Sequence, residues 1–280
     1  MEWTSMSQTI AVNGIVAVID VTKCVNCRSC TVSCKDQYAL NDYPPYSAGM
    51  PFEGQKWVRV EEVERGTFPK VKFSSMPIFC QMCDNAPCIA AATGGAIYKR
   101  PDGIVIIDPV KSKGQRQLVN SCPYGVIFYN EDADIPQKCT WCVQRLEKGE
   151  SPRCMQACPS GAITVGEVGI LGPLIRQNAR PLHPEYGALP RVAFIGMPKT
   201  FIAGALVDSK GECLAGASVT ATDTASKMVM AMATSDFLGD FWLDGLEPKK
   251  NYDVTITSAG KTKTISVSLD TDKNLGDIQL

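Results

Sequence analysis

Twelve of the thirteen cysteines in this chain fall into four short neighbourhoods: Cys24, Cys27, Cys30 and Cys34; Cys80, Cys83 and Cys88; Cys122 alone; and Cys139, Cys142, Cys154 and Cys158. The first reads C-x2-C-x2-C-x3-C. Thiolates at steps of three on a tight loop converge on one polymetallic centre, and the fourth, a helical turn further on, points away from it. This is the spacing that wraps a [4Fe–4S] cubane, and in two-cluster arrangements the fourth thiolate serves the other cluster. The first run therefore demands a complementary cysteine group elsewhere in the chain.

Other thiol chemistries fit less well. Repeated C-x2-C neighbours are poor disulfide geometry, and residues 1–6, Met-Glu-Trp-Thr-Ser-Met, show neither the basic nor the apolar region of an export signal. Zinc takes separated cysteine or cysteine–histidine pairs in fours, unlike three cysteines packed at steps of three. The single histidine, His183, lies in the Pro-rich stretch Arg180-Pro181-Leu182-His183-Pro184, reads as a loop residue, and excludes a two-histidine Rieske centre within this chain.

The elements that must carry these cysteines repeat. Residues 16–24, Val-Ala-Val-Ile-Asp-Val-Thr-Lys-Cys, form a β-rich run that delivers its last residue into the first cysteine loop. Residues 104–112, Ile-Val-Ile-Ile-Asp-Pro-Val-Lys-Ser, restate it. In that register Ser112 stands for Cys24, Gln115 for Cys27 and Leu118 for Cys30, and Cys122 remains opposite Cys34. A second pair of phrases, Pro77-Ile78-Phe79-Cys80-Gln81-Met82-Cys83 and Pro136-Gln137-Lys138-Cys139-Thr140-Trp141-Cys142, repeats as well. Their shared downstream Gly-Ala-Ile sets Ala92 opposite Cys158.

Ser112, Gln115, Leu118 and Ala92 would together have held one cubane, so one whole cluster has been lost as a matched set. By the ferredoxin crossing rule Cys24, Cys27 and Cys30 take Cys158; Cys139, Cys142 and Cys154 take Cys34; and Cys80, Cys83 and Cys88 take Cys122. The expectation is three [4Fe–4S] clusters with no ligand left over among the twelve.

The fold expected is α+β: a duplicated ferredoxin-like [4Fe–4S] domain in two half-domains over residues 1–165, a connector over 166–199 and an all-β domain over 200–280. Residues 96–107 read as a hairpin with a Pro-Asp-Gly turn. The connector is rich in Gly and in Pro173, Pro181, Pro184, Pro190 and Pro198. Beyond it, short alternating runs at 201–207, 217–222, 239–243 and 252–257 indicate an antiparallel sandwich, transthyretin-like or immunoglobulin-like. Cys213 sits in a turn-like stretch there and reads as a free thiol.

The four cysteine neighbourhoods in this order, with C-x2-C-x4-C second and C-x2-C-x11-C-x3-C last, resemble the iron–sulfur electron-transfer subunits of the dimethyl sulfoxide reductase family of molybdenum enzymes. That match covers roughly residues 12–165. The lost cluster, Glu64-Arg65-Gly66-Thr67-Phe68-Pro69, Tyr46-Ser47-Ala48-Gly49-Met50 and a C-terminal β domain make it most similar to the transhydroxylase branch, over nearly the whole chain. The resemblance implies a heterodimer whose large subunit holds molybdenum on two pterin guanine dinucleotides and works on phenolic aromatics, while this chain carries electrons.

The residues agree that no catalytic site lies here: there is no Gly-rich dinucleotide fingerprint, no P-loop and no histidine placed for acid–base work. A net charge of −1 with interspersed signs argues against nucleic acid, and no run approaches a membrane span. Cytoplasm is the compartment expected, although an exported partner would carry the chain with it. The alternatives are an electron-transfer subunit of a catechol dehydroxylase or of a respiratory reductase, and, in a different class, a free polyferredoxin carrier. An adhesion module accounts for the β domain but not for the cysteines.

Overall fold

A computed structural model describes residues 13–280, apart from the side chains of residues 177 and 178; the expectation drawn from residues 1–6 lies outside the described residues. The chain forms two compact units: residues through Glu62 with Ser74–Met197, and Val63–Phe73 with Pro198–Leu280.

In the first unit the run read as β-rich is the strand Ile15–Asp20, with Val16, Ala17, Val18 and Ile19 all buried. It is an inner strand, paired antiparallel to Ile163–Glu167 and parallel to Val192–Ile195. The helix Val168–Asn178 covers one face, setting Leu171 and Ile175 against Val16, Val18 and Ala193. Each fully buried Val, Leu or Ile there contributes about 1.5–3 kcal/mol. The stretch 166–199 is thus more regular than its Pro and Gly content suggests: it holds that helix and the strands Ala179–Pro181 and Val192–Ile195. These strands are only three and four residues long, and a distant partner rather than local alternation fixes them.

Two small hairpins complete the cysteine scaffold: Ile97–Lys99 with Val105–Ile107, and Phe128–Asn130 with Ile135–Gln137. The helices are few and short; Ser29–Tyr38 carries cysteines, and so do the single turns Pro87–Ala91 and Arg153–Gln156. Among the described residues no helix is long and apolar enough to cross a membrane.

The second unit is a sandwich of a three-stranded sheet, Asp240–Leu246, Thr200–Val207 and Lys273–Gln279, and a four-stranded sheet, Val229–Thr234, Ser218–Asp223, Lys250–Ser258 and Lys261–Leu269. Tyr252, Val254 and Ile256 alternate inward into a core that also holds Leu206, Val219, Phe241 and Leu269. The pairing is antiparallel except for Thr200–Val207 against Lys273–Gln279, which is parallel.

Residues 63–73 belong to this unit through charge pairs that composition does not announce. Lys70, itself buried, pairs with Asp240, Arg65 meets Asp272 at 3.1 Å, and the Phe201 ring lies under the Arg65 and Lys72 cations.

Candidate iron–sulfur centres

Strand pairing brings together cysteines far apart in sequence. Ile15–Asp20 runs toward Cys24 while Ile163–Glu167 leaves Cys158, and the two are antiparallel, with Ile19 opposite Ile163 and Asp20 N donating to Ala162 O at 2.8 Å. Cys24 and Cys158 therefore stand at the same end of the sheet. The hairpin of Phe128–Asn130 and Ile135–Gln137 does the same for Cys122 before it and Cys139 after it.

Three groups of four thiols result, each defined by the charges its members exert on one another. Cys158 acts on Cys24, Cys27 and Cys30. Cys139, Cys142 and Cys154 act on Cys34. Cys80, Cys88 and Cys122 act on Cys83. The groups stand in a row, because Cys30 of the first acts on Cys34 and Cys154 of the second, and Cys80 of the third acts on Cys139 of the second.

The loops share a backbone device. In three C-x2-C turns the residue before the second cysteine is left-handed: Asn26 at φ 56°, Met82 at φ 48° and Trp141 at φ 52°. A non-glycine residue there costs of order 1–3 kcal/mol, and bulky Met and Trp are poor residues for it. The turn is kept because it aims both thiols, and backbone amides, inward: Trp141 N donates to Cys139 Sγ at 3.3 Å. Trp141 is itself fixed by its indole N–H, which donates to Cys80 O at 3.0 Å. In the fourth neighbourhood Ala162 N donates to Cys158 Sγ at 3.2 Å.

Burial shapes the thiols. It pushes Cys34 and Cys154 well above the usual thiol range, Cys139 up to about 12, and Cys30 and Cys88 up to about 11. At Cys158 burial acts in the same direction, but hydrogen bonds from the Ser160 hydroxyl and the Ala162 amide outweigh it and hold the thiol low. Exposed Cys27 is lowered by Ser29. Thiols this deeply buried become thiolates only when a cationic metal centre takes them.

Cys80, Cys83, Cys88 and Cys122 line one cavity, walled by Pro87, Val105, Val126 and Ile127 with Lys138 as its cation. Among the described residues no three His, Cys, Asp or Glu side chains close in tightly enough for a single ion. Four thiols around a space with apolar walls, one cation and no carboxylate fit a thiolate-bound polymetallic centre of net negative charge.

The positions read as replaced ligands, Ala92, Ser112, Gln115 and Leu118, hold other side chains in ordered places. Leu118 and Ser112 are fully buried. Gln115 Nε2 donates to Lys111 O at 2.9 Å and Thr93 O at 3.3 Å, and its Oε1 accepts from Thr93 N at 3.1 Å, tying the loop to the residue after Ala92. His183 caps the turn Pro184–Tyr186, meets Glu185 Oε1 at 2.9 Å and stacks on Tyr186; Cys213 is an exposed free thiol.

Residues 71–168 match the 4Fe-4S dicluster domain family, and residues 202–280 match the carboxypeptidase regulatory-like domain family. The pyrogallol hydroxytransferase small subunit of Pelobacter acidigallici is 37% identical over 276 residues, 94% of this chain and 98% of that one. A subunit of tetrathionate reductase from Salmonella typhimurium is 32% identical over 192 residues, 66% of this chain and 73% of that one. The beta subunit of chlorate reductase from Ideonella dechloratans is 39% identical over 143 residues, 48% of this chain and 43% of that one.

Proposed function

This chain belongs to the iron–sulfur beta subunits of the dimethyl sulfoxide reductase family of molybdenum enzymes, and from that membership we propose that it wires three [4Fe–4S] clusters to a large molybdenum subunit that transfers hydroxyl groups on phenolic aromatics. The observation that carries the reading is the row of three four-thiol groups. Cys24, Cys27, Cys30 and Cys158 hold the first cluster; Cys34, Cys139, Cys142 and Cys154 the second; and Cys80, Cys83, Cys88 and Cys122 the third. The scaffold is a duplicated ferredoxin in which Ala92, Ser112, Gln115 and Leu118 replace the ligands of a fourth.

Bound there, the cubanes supply one-electron redox centres. The chain's own residues fix and shield them. The left-handed turns at Asn26, Met82 and Trp141 hold the loops open around each centre. The Trp141 and Ala162 amides donate to Cys139 and Cys158 sulfurs, which disperses thiolate charge and favours the reduced state. The buried second group excludes water, whereas Cys27 stands exposed in the first.

The partner expected is a large subunit with molybdenum on two pterin guanine dinucleotides, in a heterodimer, with catalysis confined to it. Reduced thiols suit assembly in the cytoplasm. The transhydroxylase partner is favoured because the likeness to the pyrogallol hydroxytransferase small subunit runs through the C-terminal sandwich. The likeness to the tetrathionate reductase chain keeps a respiratory reductase partner as the second reading.

The test is anaerobic purification through a tag on this chain, with metal analysis. About 12 iron atoms per chain, beyond any in the partner, with near-stoichiometric molybdenum and a large co-purifying subunit that hydroxylates phenols, is the expected result. Iron without molybdenum or partner would make this chain a free polyferredoxin carrier and sink the proposal.

A further inference from the structure

One lysine is buried between two of the cysteine groups. Lys138 is 3% exposed; its Nζ donates to Val105 O and, at 3.2 Å, to Cys139 O, and lies 3.8 Å from Met82 Sδ. Three acceptors meet the three N–H donors of an ammonium. Among the described residues no carboxylate pairs with it, so its charge is not cancelled locally.

That charge faces the third group most of all. Lys138 lines the cavity of Cys80, Cys83, Cys88 and Cys122, and its attraction reaches the thiolates of Cys88 and Cys122. In the second group it reaches Cys139. The charges acting most strongly on Cys24 and Cys30 are those of their own group. A buried ammonium without a carboxylate partner is costly, and anionic thiolates on both sides are what make this position tolerable.

We propose that Lys138 sets redox potential: a fixed cation that raises the reduction potential of the cluster on Cys80, Cys83, Cys88 and Cys122, raises that on Cys34, Cys139, Cys142 and Cys154 less, and leaves that on Cys24, Cys27, Cys30 and Cys158 unmoved. The inference rests on the cluster assignment above. Reduction adds one electron to a centre that is already anionic, and a cation held in a partly dehydrated cavity stabilises the added charge more than it would in water. The third group thereby takes an electron more readily than it would without the cation.

The experiment is a mediated potentiometric titration of the holo complex with dithionite, read by electron paramagnetic resonance, on wild type, Lys138→Met and Lys138→Arg. The third-group signal is identified as the one missing from Cys80→Ala, and iron is counted in each sample. In Lys138→Met the reduced-to-oxidised ratio of that cluster at the wild-type midpoint is expected to fall about tenfold, which is ~59 mV for a one-electron couple. The first-group midpoint stays put, and Lys138→Arg, which keeps the charge, stays within about twofold of wild type.

Unchanged third-group potential in Lys138→Met with full iron overturns the proposal, and so does an equal fall in Lys138→Met and Lys138→Arg, which would assign the effect to shape. If Lys138→Met loses iron, Lys138→Gln, whose amide can still donate to the carbonyls, is judged by the same criterion. A wild type without about 12 iron atoms per chain refutes the cluster assignment itself, and that is seen before any variant is compared.

Discussion

Cys122 and Cys80 lie 42 residues apart and belong to different repeats, yet they line one cavity and the Cys122 thiol feels the charge of Cys80. Cys122→Ala is therefore expected to remove the same cluster as Cys80→Ala. Loss of one cubane takes about 4 iron atoms from about 12, a third of the iron and of the acid-labile sulfide. Because the two substitutions act on one centre, the double variant should lose no more than either single one, a gross departure from additivity. Cys24→Ala removes a different third, and combined with Cys122→Ala it should leave about 4 iron atoms. The assay is iron and sulfide per chain, with the reduced spectrum showing which signal has gone. An additive loss of about 8 iron atoms in Cys80→Ala/Cys122→Ala, or a shared signal between Cys122→Ala and Cys24→Ala, would refute the crossing scheme.

Restoring Ala92, Ser112, Gln115 and Leu118 to cysteine together should add about 4 iron atoms per chain after anaerobic reconstitution, whereas each single restoration adds none; no gain from the fourfold variant would speak against the duplicated scaffold. In the sandwich, Ile256 is fully buried in the core, so Ile256→Ala should destabilise that unit by about 2–5 kcal/mol in urea unfolding, while Thr257→Ala, on the exposed face of the same strand, should stay within about 0.5 kcal/mol. Arg191 is buried, with Nε on Asp84 Oδ1 at 2.7 Å and a terminal nitrogen on Asn13 O at 2.8 Å. Arg191→Met should cost roughly 1–3 kcal/mol rather than more, because Lys99 still meets Asp84 at 2.6 Å; denaturation followed by cluster absorbance measures it.

The cysteine spacing is legible because thiolate chemistry is written in residue type and interval, and one strand of the scaffold, Ile15–Asp20, is legible because it is apolar through Ile19. What escaped is non-local. The left-handed Met82 and Trp141 carry no glycine to mark them; the repeated position before the second cysteine of each pair was the signal available. Residues 163–195 take their sheet from pairing with Ile15–Asp20, which lies more than a hundred residues away. In the sandwich three strands lack a clean inward–outward alternation: Val229–Thr234 is apolar at nearly every position yet largely exposed, Lys261–Leu269 opens on Lys-Thr-Lys-Thr, and Lys273–Gln279 is interrupted by Gly276 and Asp277. Lys138 read as part of a repeated phrase, and only the cavity on one side and Cys139 on the other give it a role.

The order of the row follows from one short helix. Cys30 and Cys34 share Ser29–Tyr38 and both are buried, but they face different groups: Cys30 joins Cys24 and Cys158, and Cys34 joins Cys139, Cys142 and Cys154. Four residues of α-helix rise about 6 Å, so the first and second centres cannot drift apart without breaking the helix. At the other end, two left-handed C-x2-C turns sit back to back, with Trp141 anchored to Cys80 O across the gap. The row is thus fixed at one joint by helical rise and at the other by an indole hydrogen bond. The loop with Gln115 and Leu118, which takes no thiol, is closed instead by burial of Leu118 and by Gln115 hydrogen bonds to Thr93 and Lys111. A wire built this way has a fixed middle, and the buried charge of Lys138 biases how readily the third group takes an electron.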